Sequence, residues 1–184
     1  MNSVFTLANQ LTLLRMLLIP AFVLLVIYGH LGWALLVFIL AGVTDGLDGL
    51  AARYAGQKTS LGAWLDPAAD KLLLVTTFIV LTLPGLGLAN RLPIWLTVLI
   101  ISRDIGIVLT VAIINLATGP RTFRPSIYGK VATATYIVTA VVAMFFNYRG
   151  YPSPVVTLFV YASLAITLIS GLHYVFHASR IVNS

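Results

Sequence analysis

Four aspartates between residues 45 and 70 are the side chains of this protein best suited to chemistry. They are four of its five acidic residues: Asp45, Asp48, Asp66 and Asp70. The sequence around them is apolar enough for a membrane, where one charged side chain near the bilayer centre costs roughly 2.5–3.5 kcal/mol. Four such charges would cost on the order of 10 kcal/mol, which is comparable to the stability of a whole domain. We therefore infer that these carboxylates bind something cationic.

The spacing of the aspartates indicates two divalent cations. Asp45 and Asp48 are three residues apart, and Asp66 and Asp70 are four apart, so each pair shares one face of a helix. A short turn separates the two pairs, and an antiparallel helical hairpin would bring the four carboxylates together. Oxygen ligands without Cys or His suit Mg²⁺ or Mn²⁺ rather than zinc or copper. Two such ions about 4 Å apart are an arrangement used for displacements at phosphorus.

The elements that must position these residues are membrane helices. Hydrophobic residues make up 60% of the 184 residues and charged residues only 9%, a composition typical of an integral membrane protein. This length accommodates about six spans of roughly 20 residues each. Breaks at Gly and Pro predict helices at about 8–29, 32–56, 60–83, 93–117, 127–147 and 153–178. We therefore expect an all-α, polytopic protein with six transmembrane helices and a single domain over residues 1–184.

The distribution of basic residues predicts the orientation in the membrane. Six spans place both termini on one side, and the loops, helix ends and tail on that side carry six cations, Arg53, Lys58, Arg121, Arg124, Lys130 and Arg180. The opposite loops carry Arg91 and Arg149. By the positive-inside rule, both termini and the aspartates are cytoplasmic. The N-terminal residues lack a positively charged leader segment, so we expect the first apolar run to persist as a span. The net charge of +6 suits anionic membrane lipids and phosphorylated ligands as partners. We expect no nucleic-acid partner.

The four aspartates and the small and basic residues between them resemble the complete motif of the CDP-alcohol phosphotransferase family. The matching pattern is Asp45-x2-Asp48-Gly49-x2-Ala52-Arg53-x8-Gly62-x3-Asp66-x3-Asp70. The stretch from Asn9 to Arg15, continuing to Pro20, also resembles the opening helix of the glycerol-type members. The resemblance implies a CDP-diacylglycerol donor whose diphosphate lies across two divalent cations, Mg²⁺ or Mn²⁺. It also implies a homodimer in the bacterial inner membrane.

The same resemblance implies roles for individual residues. Asp45, Asp48 and Asp66 would be metal ligands, and Asp70 would both contact the metal site and deprotonate the acceptor hydroxyl. The cytidine and diphosphate pocket would be formed by Asp48 together with Gly49, Ala52, Arg53 and Gly62. Since a carboxylate surrounded by cations is a weak base, Asp70 would need accurate placement rather than high basicity.

A second, cationic group resembles the pocket in which this family holds a phosphate on its acceptor. Its members are Arg103, Arg124 and Lys130. Asp104 follows Arg103, but consecutive helical residues point in different directions. An ion pair between Arg103 and one of the four aspartates is an alternative to phosphate binding. For Arg124 and Lys130 the alternative is that they only set the orientation of the helices in the membrane, as the positive-inside rule describes. A phosphate site favours glycerol 3-phosphate or phosphatidylglycerol as the acceptor.

Two glycerol-type branches of the family compete. Phosphatidylglycerophosphate synthases usually carry Arg-Glu twice on the fourth helix, whereas here Arg103-Asp104 is followed by no charged residue through Ile114. The segments 101–104 and 124–130 look more like the cardiolipin synthases of this family, which favours phosphatidylglycerol as acceptor. Another phosphorylated alcohol, such as inositol phosphate, is an alternative. A cation-coupled transporter is a further one, although the later helices lack the counterpart acids that paired transporter halves would show.

Overall fold

The part of the chain that the structure describes forms six α-helices. The computed structural model describes the backbone of residues 7–55, 60–118 and 126–182, and the side chains of residues 10, 12–44, 69–116 and 126–176. The helices are α1 (Leu7–Ile27), α2 (Leu31–Ala55), α3 (Ser60–Thr82), α4 (Ile94–Thr118), α5 (Ile127–Arg149) and α6 (Pro154–Val182). Within the described ranges the chain contains no strand. The all-α prediction is therefore confirmed, and the helix boundaries fall within four residues of those expected from the sequence.

The protein is an integral membrane protein. Among the described residues, three segments are long and apolar enough to cross a bilayer, namely Ile94–Leu116, Ile127–Arg149 and Pro154–Phe176. Two shorter apolar segments, Thr12–Ile27 and Leu31–Thr44, belong to α1 and α2. Large apolar side chains such as Leu17, Leu116 and Leu158 are exposed, as expected where lipid rather than water surrounds a helix. The predicted count of six spans stays a prediction.

The chain divides into two compact units. The first comprises Met1–Arg91 and Met144–Pro152, and the second comprises Leu92–Ala143 and Ser153–Ser184. In the first unit, α1 packs against both α2 and α3. Phe22 of α1 and Phe38 of α2 are fully buried or nearly so, with ring centroids 6.1 Å apart. Ala34 and Ala41 flank Phe38 on one face of α2 and are fully buried, so small side chains let the two helices approach closely.

Turn residues fix the ends of the helices in the first unit. Gly29 adopts a left-handed φ of 75°, the amide of His30 donates to the carbonyl of Leu25, and the amide of Gly29 donates to that of Val26. These bonds satisfy carbonyls that would otherwise be unpaired at the end of α1, and the left-handed conformation favours Gly. On the loop after α3, the amide of Asn90 donates to Oδ1 of Asn147 at 2.6 Å. The two asparagines thereby tie this loop to the end of α5.

Hydroxyl groups join the helices of the second unit. The Tyr136 hydroxyl on α5 lies 2.6 Å from Thr167 Oγ1 on α6, and Thr139 Oγ1 lies 2.8 Å from Ser163 Oγ. All four side chains are buried. Because lipid tails are as apolar as the helices, interhelical hydrogen bonds of this kind provide association that the hydrophobic effect cannot. Helix α4 packs against α6 in the same unit.

Candidate active site

The aspartate motif lies on two helices that share a packing partner. Positions 45 and 48 are on the helical backbone of α2, and positions 66 and 70 are on that of α3. Both helices pack against α1, and the helical register places each pair of positions on one face. Of the four carboxylates, Asp70 is the one whose side chain the structure describes. The side chains of Asp45, Asp48 and Asp66, and the motif positions Gly49, Ala52, Arg53 and Gly62, lie outside the described side chains.

The carboxylate of Asp70 is held by an arginine from α1. Nη1 of Arg15 donates a hydrogen bond to Oδ1 of Asp70 at 2.8 Å. The two side chains differ sharply in burial: Arg15 has 0% of its side chain exposed, and Asp70 has 48% exposed. Ala69, the neighbour of Asp70, is fully buried. The arginine therefore approaches the carboxylate from the protein interior, while about half of the Asp70 side chain is exposed.

Sequence reasoning did not assign a role to Arg15. The signal was present, because Arg15 is an arginine inside an apolar helix, and such a residue is a functional-site hypothesis by default. Its partner lies 55 residues away in the chain, so no local pattern connects the two residues. Only the packing of α1 against α3 brings them together.

Arg103 of α4 is hydrogen-bonded to polar side chains of α4 and α6. Its Nη1 donates to Oδ1 of Asp104 at 2.7 Å, and its Nη2 donates to Oγ of Ser170 on α6 at 2.5 Å. The expectation that Arg103 and Asp104 point apart is wrong. The directional rule for neighbouring helical positions applies to the Cα–Cβ bonds, whereas the long arginine side chain bends back to reach the adjacent carboxylate. Arg103 is thus paired with its neighbour Asp104. The alternative considered from the sequence, an ion pair with one of the four aspartates of the motif, stays a prediction.

The first turn of α5 approaches the same arginine. Ser126 precedes the helix, and its Oγ accepts a hydrogen bond from the amide of Gly129 at 3.0 Å, the geometry of an N-terminal cap. A Cβ atom added to Gly129 would lie 3.3 Å from Nη2 of Arg103 and 3.3 Å from Oγ of Ser126. Glycine therefore gives Arg103 room beside the α5 backbone. The next residue, Lys130, is exposed, and Arg124 lies outside the described residues.

Comparison with known proteins decides the family. The family model described as CDP-alcohol phosphatidyltransferase matches residues 5–170. The chain belongs to this family. The match includes the four aspartates of the motif, together with Arg15, Arg103 and Lys130, so the predicted resemblance is confirmed. As a CDP-alcohol phosphatidyltransferase the protein is an enzyme of phospholipid biosynthesis that releases CMP.

Relatives of two acceptor types are similar to the chain over nearly all of its length. A Mycobacterium tuberculosis protein named "Probable phosphatidylglycerophosphate synthase" is 36% identical, covering 95% of this chain and 82% of its own length. The Streptomyces coelicolor protein "Cardiolipin synthase (CMP-forming)" is 32% identical, covering 100% of this chain and 87% of its own length. A Homo sapiens protein of the same name is 31% identical, covering 96% of this chain and 62% of its own length.

The metal-ligating side chains available in the motif fit the cations that CDP-alcohol phosphatidyltransferases use. The family generally depends on divalent cations and takes CDP-diacylglycerol and an alcohol as substrates. Four carboxylates without thiol or imidazole groups suit a hard oxygen-seeking cation. Asp70, the one carboxylate of the motif whose side chain is described, is half exposed and so remains accessible to a ligand.

Proposed function

We propose that this enzyme transfers a phosphatidyl group from CDP-diacylglycerol to the hydroxyl of a glycerol-type, phosphorylated acceptor. The observation that carries the proposal is the family match over residues 5–170, which includes every position of the acidic motif. The helical register of α2 and α3 supports it, because the aspartates of each pair occupy one face of a helix that packs on α1.

The residues of the motif have separate roles in metal binding, nucleotide binding and proton transfer. Asp45, Asp48, Asp66 and Asp70 would hold two divalent cations, Mg²⁺ or Mn²⁺, which when bound neutralise the diphosphate and stabilise the leaving CMP. Asp70 takes the proton of the acceptor hydroxyl. The acceptor oxygen forms a bond to the phosphorus of the phosphatidyl group, the bond from that phosphorus to the bridging oxygen breaks, and CMP leaves with that oxygen. The donor nucleotide is bound by Asp48, Gly49, Ala52, Arg53 and Gly62.

The acceptor phosphate is bound by Arg103, Arg124 and Lys130. Arg103 supports this assignment because Asp104 and Ser170 fix its guanidinium group, so little side-chain freedom is lost when a ligand binds. Only 10% of the Arg103 side chain is exposed, and charge interactions are stronger in such a site than in bulk water. An uncharged amino alcohol would make no use of three cationic side chains.

The acceptor that we favour is phosphatidylglycerol, and the product would then be cardiolipin. The absence of a second acidic–basic pair on α4 after Arg103-Asp104 supports this choice. Glycerol 3-phosphate, giving phosphatidylglycerophosphate, is the second candidate, and the name of the Mycobacterium tuberculosis relative favours it.

Topology and assembly complete the proposal. We infer six transmembrane spans, both termini and the active site on the cytoplasmic side, and a location in the bacterial inner membrane. The six-to-two excess of cations on the side of the termini supports this orientation. We also infer that residues 1–184 form one CDP-alcohol phosphatidyltransferase domain that assembles as a homodimer.

The decisive experiment offers both acceptors to the purified full-length protein. CDP-diacylglycerol is supplied with Mn²⁺ or Mg²⁺ and either phosphatidylglycerol or glycerol 3-phosphate, and CMP and lipid products are measured by mass spectrometry. We expect cardiolipin as the main product, with CMP release that stops on chelation and returns with added Mn²⁺. Asp45→Asn should abolish release, and Arg91→Gln, in an exposed loop, is the matched control. CMP release from neither acceptor, or release that a chelator leaves unchanged, would refute the proposed function.

A further inference from the structure

Asp70, the predicted base, is hydrogen-bonded to a buried arginine, Arg15. Arg15 is among the largest of the fully buried side chains, and it lies in α1, which packs against the helix that carries Asp70. Its Nη1 contacts Oδ1 of Asp70 at 2.8 Å. No residue of the family motif described above lies on α1, so this contact adds a residue from outside that motif.

The unequal burial of the two partners indicates more than a structural ion pair. A pair that serves only to neutralise charge attracts most strongly when both members are shielded from water, because solvent screens an exposed pair. Here the guanidinium group is completely buried, while nearly half of the Asp70 side chain is exposed. The guanidinium group thus holds the carboxylate from the protein interior, and part of the Asp70 side chain stays accessible to reactants.

A fixed orientation of Asp70 would matter for the proposed reaction. A carboxylate that stays ionised among cations is a weak base, so its contribution depends on its position relative to the acceptor hydroxyl. An aspartate side chain has two rotatable bonds, and a hydrogen bond to one oxygen limits both of them. The second oxygen is then presented in a restricted set of orientations.

We propose that Arg15 is a positioning residue, which holds Oδ1 of Asp70 so that the other carboxylate oxygen faces the acceptor hydroxyl. This inference rests on the proposed function, since it requires Asp70 to act on an acceptor. Arg15 itself contacts neither substrate, and it acts through the carboxylate.

The test compares Arg15→Gln and Arg15→Lys in the full-length protein, assayed with CDP-diacylglycerol, Mg²⁺ and the acceptor that the wild type uses. Gln keeps a neutral hydrogen-bond donor, and Lys keeps the charge without the planar guanidinium geometry. We expect kcat to fall about 100-fold in Arg15→Gln, the scale of a catalytic group misplaced by about 1 Å. Both KM values should stay within a factor of about two, because Arg15 is not placed in either binding pocket. Arg15→Lys should recover part of the lost kcat.

A readout independent of turnover separates positioning from a role in folding or metal binding. Mn²⁺, measured by electron paramagnetic resonance, should still bind to both variants, because Asp45, Asp48 and Asp66 are unchanged, and each variant should keep a cooperative melting transition. Arg91→Gln, the same change at an exposed arginine, is the control. A raised KM with unchanged kcat, equal kcat in the two variants, loss of Mn²⁺ binding, or loss of the melting transition in both would overturn the inference. A wild-type protein that releases no CMP would refute the proposed function instead.

Discussion

Replacing Asp70 by Asn separates the catalytic role of this side chain from its structural one. The exchange keeps the shape of the side chain and leaves an amide oxygen to accept the hydrogen bond from Arg15. Hydrogen bonds to charged groups contribute about 1.5–3 kcal/mol, and neutral ones about 0.5–1.5 kcal/mol. The loss of charge should therefore cost about 1 kcal/mol of stability. Because 48% of the Asp70 side chain is exposed, solvent screening reduces even this cost.

The expected effect of Asp70→Asn on turnover is several times larger. A positioned general base contributes about 10²–10⁴-fold to the rate, which corresponds to about 2.7–5.5 kcal/mol. An amide cannot accept the hydroxyl proton, so CMP release should fall by at least this factor while CDP binding persists. Release of CMP and the melting temperature are to be measured on the same preparation. Turnover near the wild-type level would refute the assignment of Asp70 as the base.

Asp70→Ala is the informative comparison for the structural part of this reasoning. It removes the acceptor of the Arg15 hydrogen bond and leaves a buried cation without this partner, and breaking a fully buried pair costs about 3–5 kcal/mol. Exposure of Asp70 makes that figure an upper bound. We expect Asp70→Ala to melt clearly below Asp70→Asn. Equal melting temperatures for the two variants would show that the contact with Arg15 contributes little to stability.

Three further substitutions test the acceptor pocket and the fold. Gly129→Ala places a Cβ atom 3.3 Å from Nη2 of Arg103, so the acceptor KM should rise several-fold, while the better helix propensity of Ala, by up to about 1 kcal/mol, preserves the melting temperature. Arg124→Ala should raise the acceptor KM more than the KM for CDP-diacylglycerol, because it removes a cation from the phosphate site. Asn147→Ala removes the acceptor of the Asn90 amide and should lower stability by about 1–3 kcal/mol with both KM values unchanged.

Each of these three predictions has its own contradicting result. An unchanged acceptor KM in Gly129→Ala would show that the approach of α5 to Arg103 has no bearing on acceptor binding. Equal changes in both KM values would remove Arg124 from the acceptor pocket. A shift of either KM in Asn147→Ala, measured beside the wild type at a temperature where both are folded, would show that the Asn90–Asn147 contact influences the site as well as the fold.

The helices could be predicted because their signals are local. Apolar runs of membrane length ending at Gly or Pro gave α3 as 60–83, and the structure has Ser60–Thr82. The end of α6 was the least accurate: the expected end at 178 falls short of Val182, since no Gly or Pro occurs after residue 171 to mark a boundary. The identity of the family followed from a motif with fixed spacing, which is local as well.

The contacts of the arginines could not be predicted from the same signals. The distance along the chain between Arg15 and Asp70 hides their pairing, and only tertiary packing reveals it. For Arg103, the rule that neighbouring helical residues diverge ignored the reach of a long side chain. The approach of Gly129 likewise depends on how α5 begins, which is set by the Ser126 cap.

The burial of Arg15 has a consequence for how the protein is made. Arg15 lies near the middle of the 21-residue helix α1, and its counter-charge is synthesised 55 residues later. If α1 entered the lipid alone, its arginine would cost roughly 2.5–3.5 kcal/mol near the bilayer centre. The contact with Asp70 therefore makes part of the stability of the first helix depend on the third. During biogenesis the N-terminal helices should settle as a group rather than one after another.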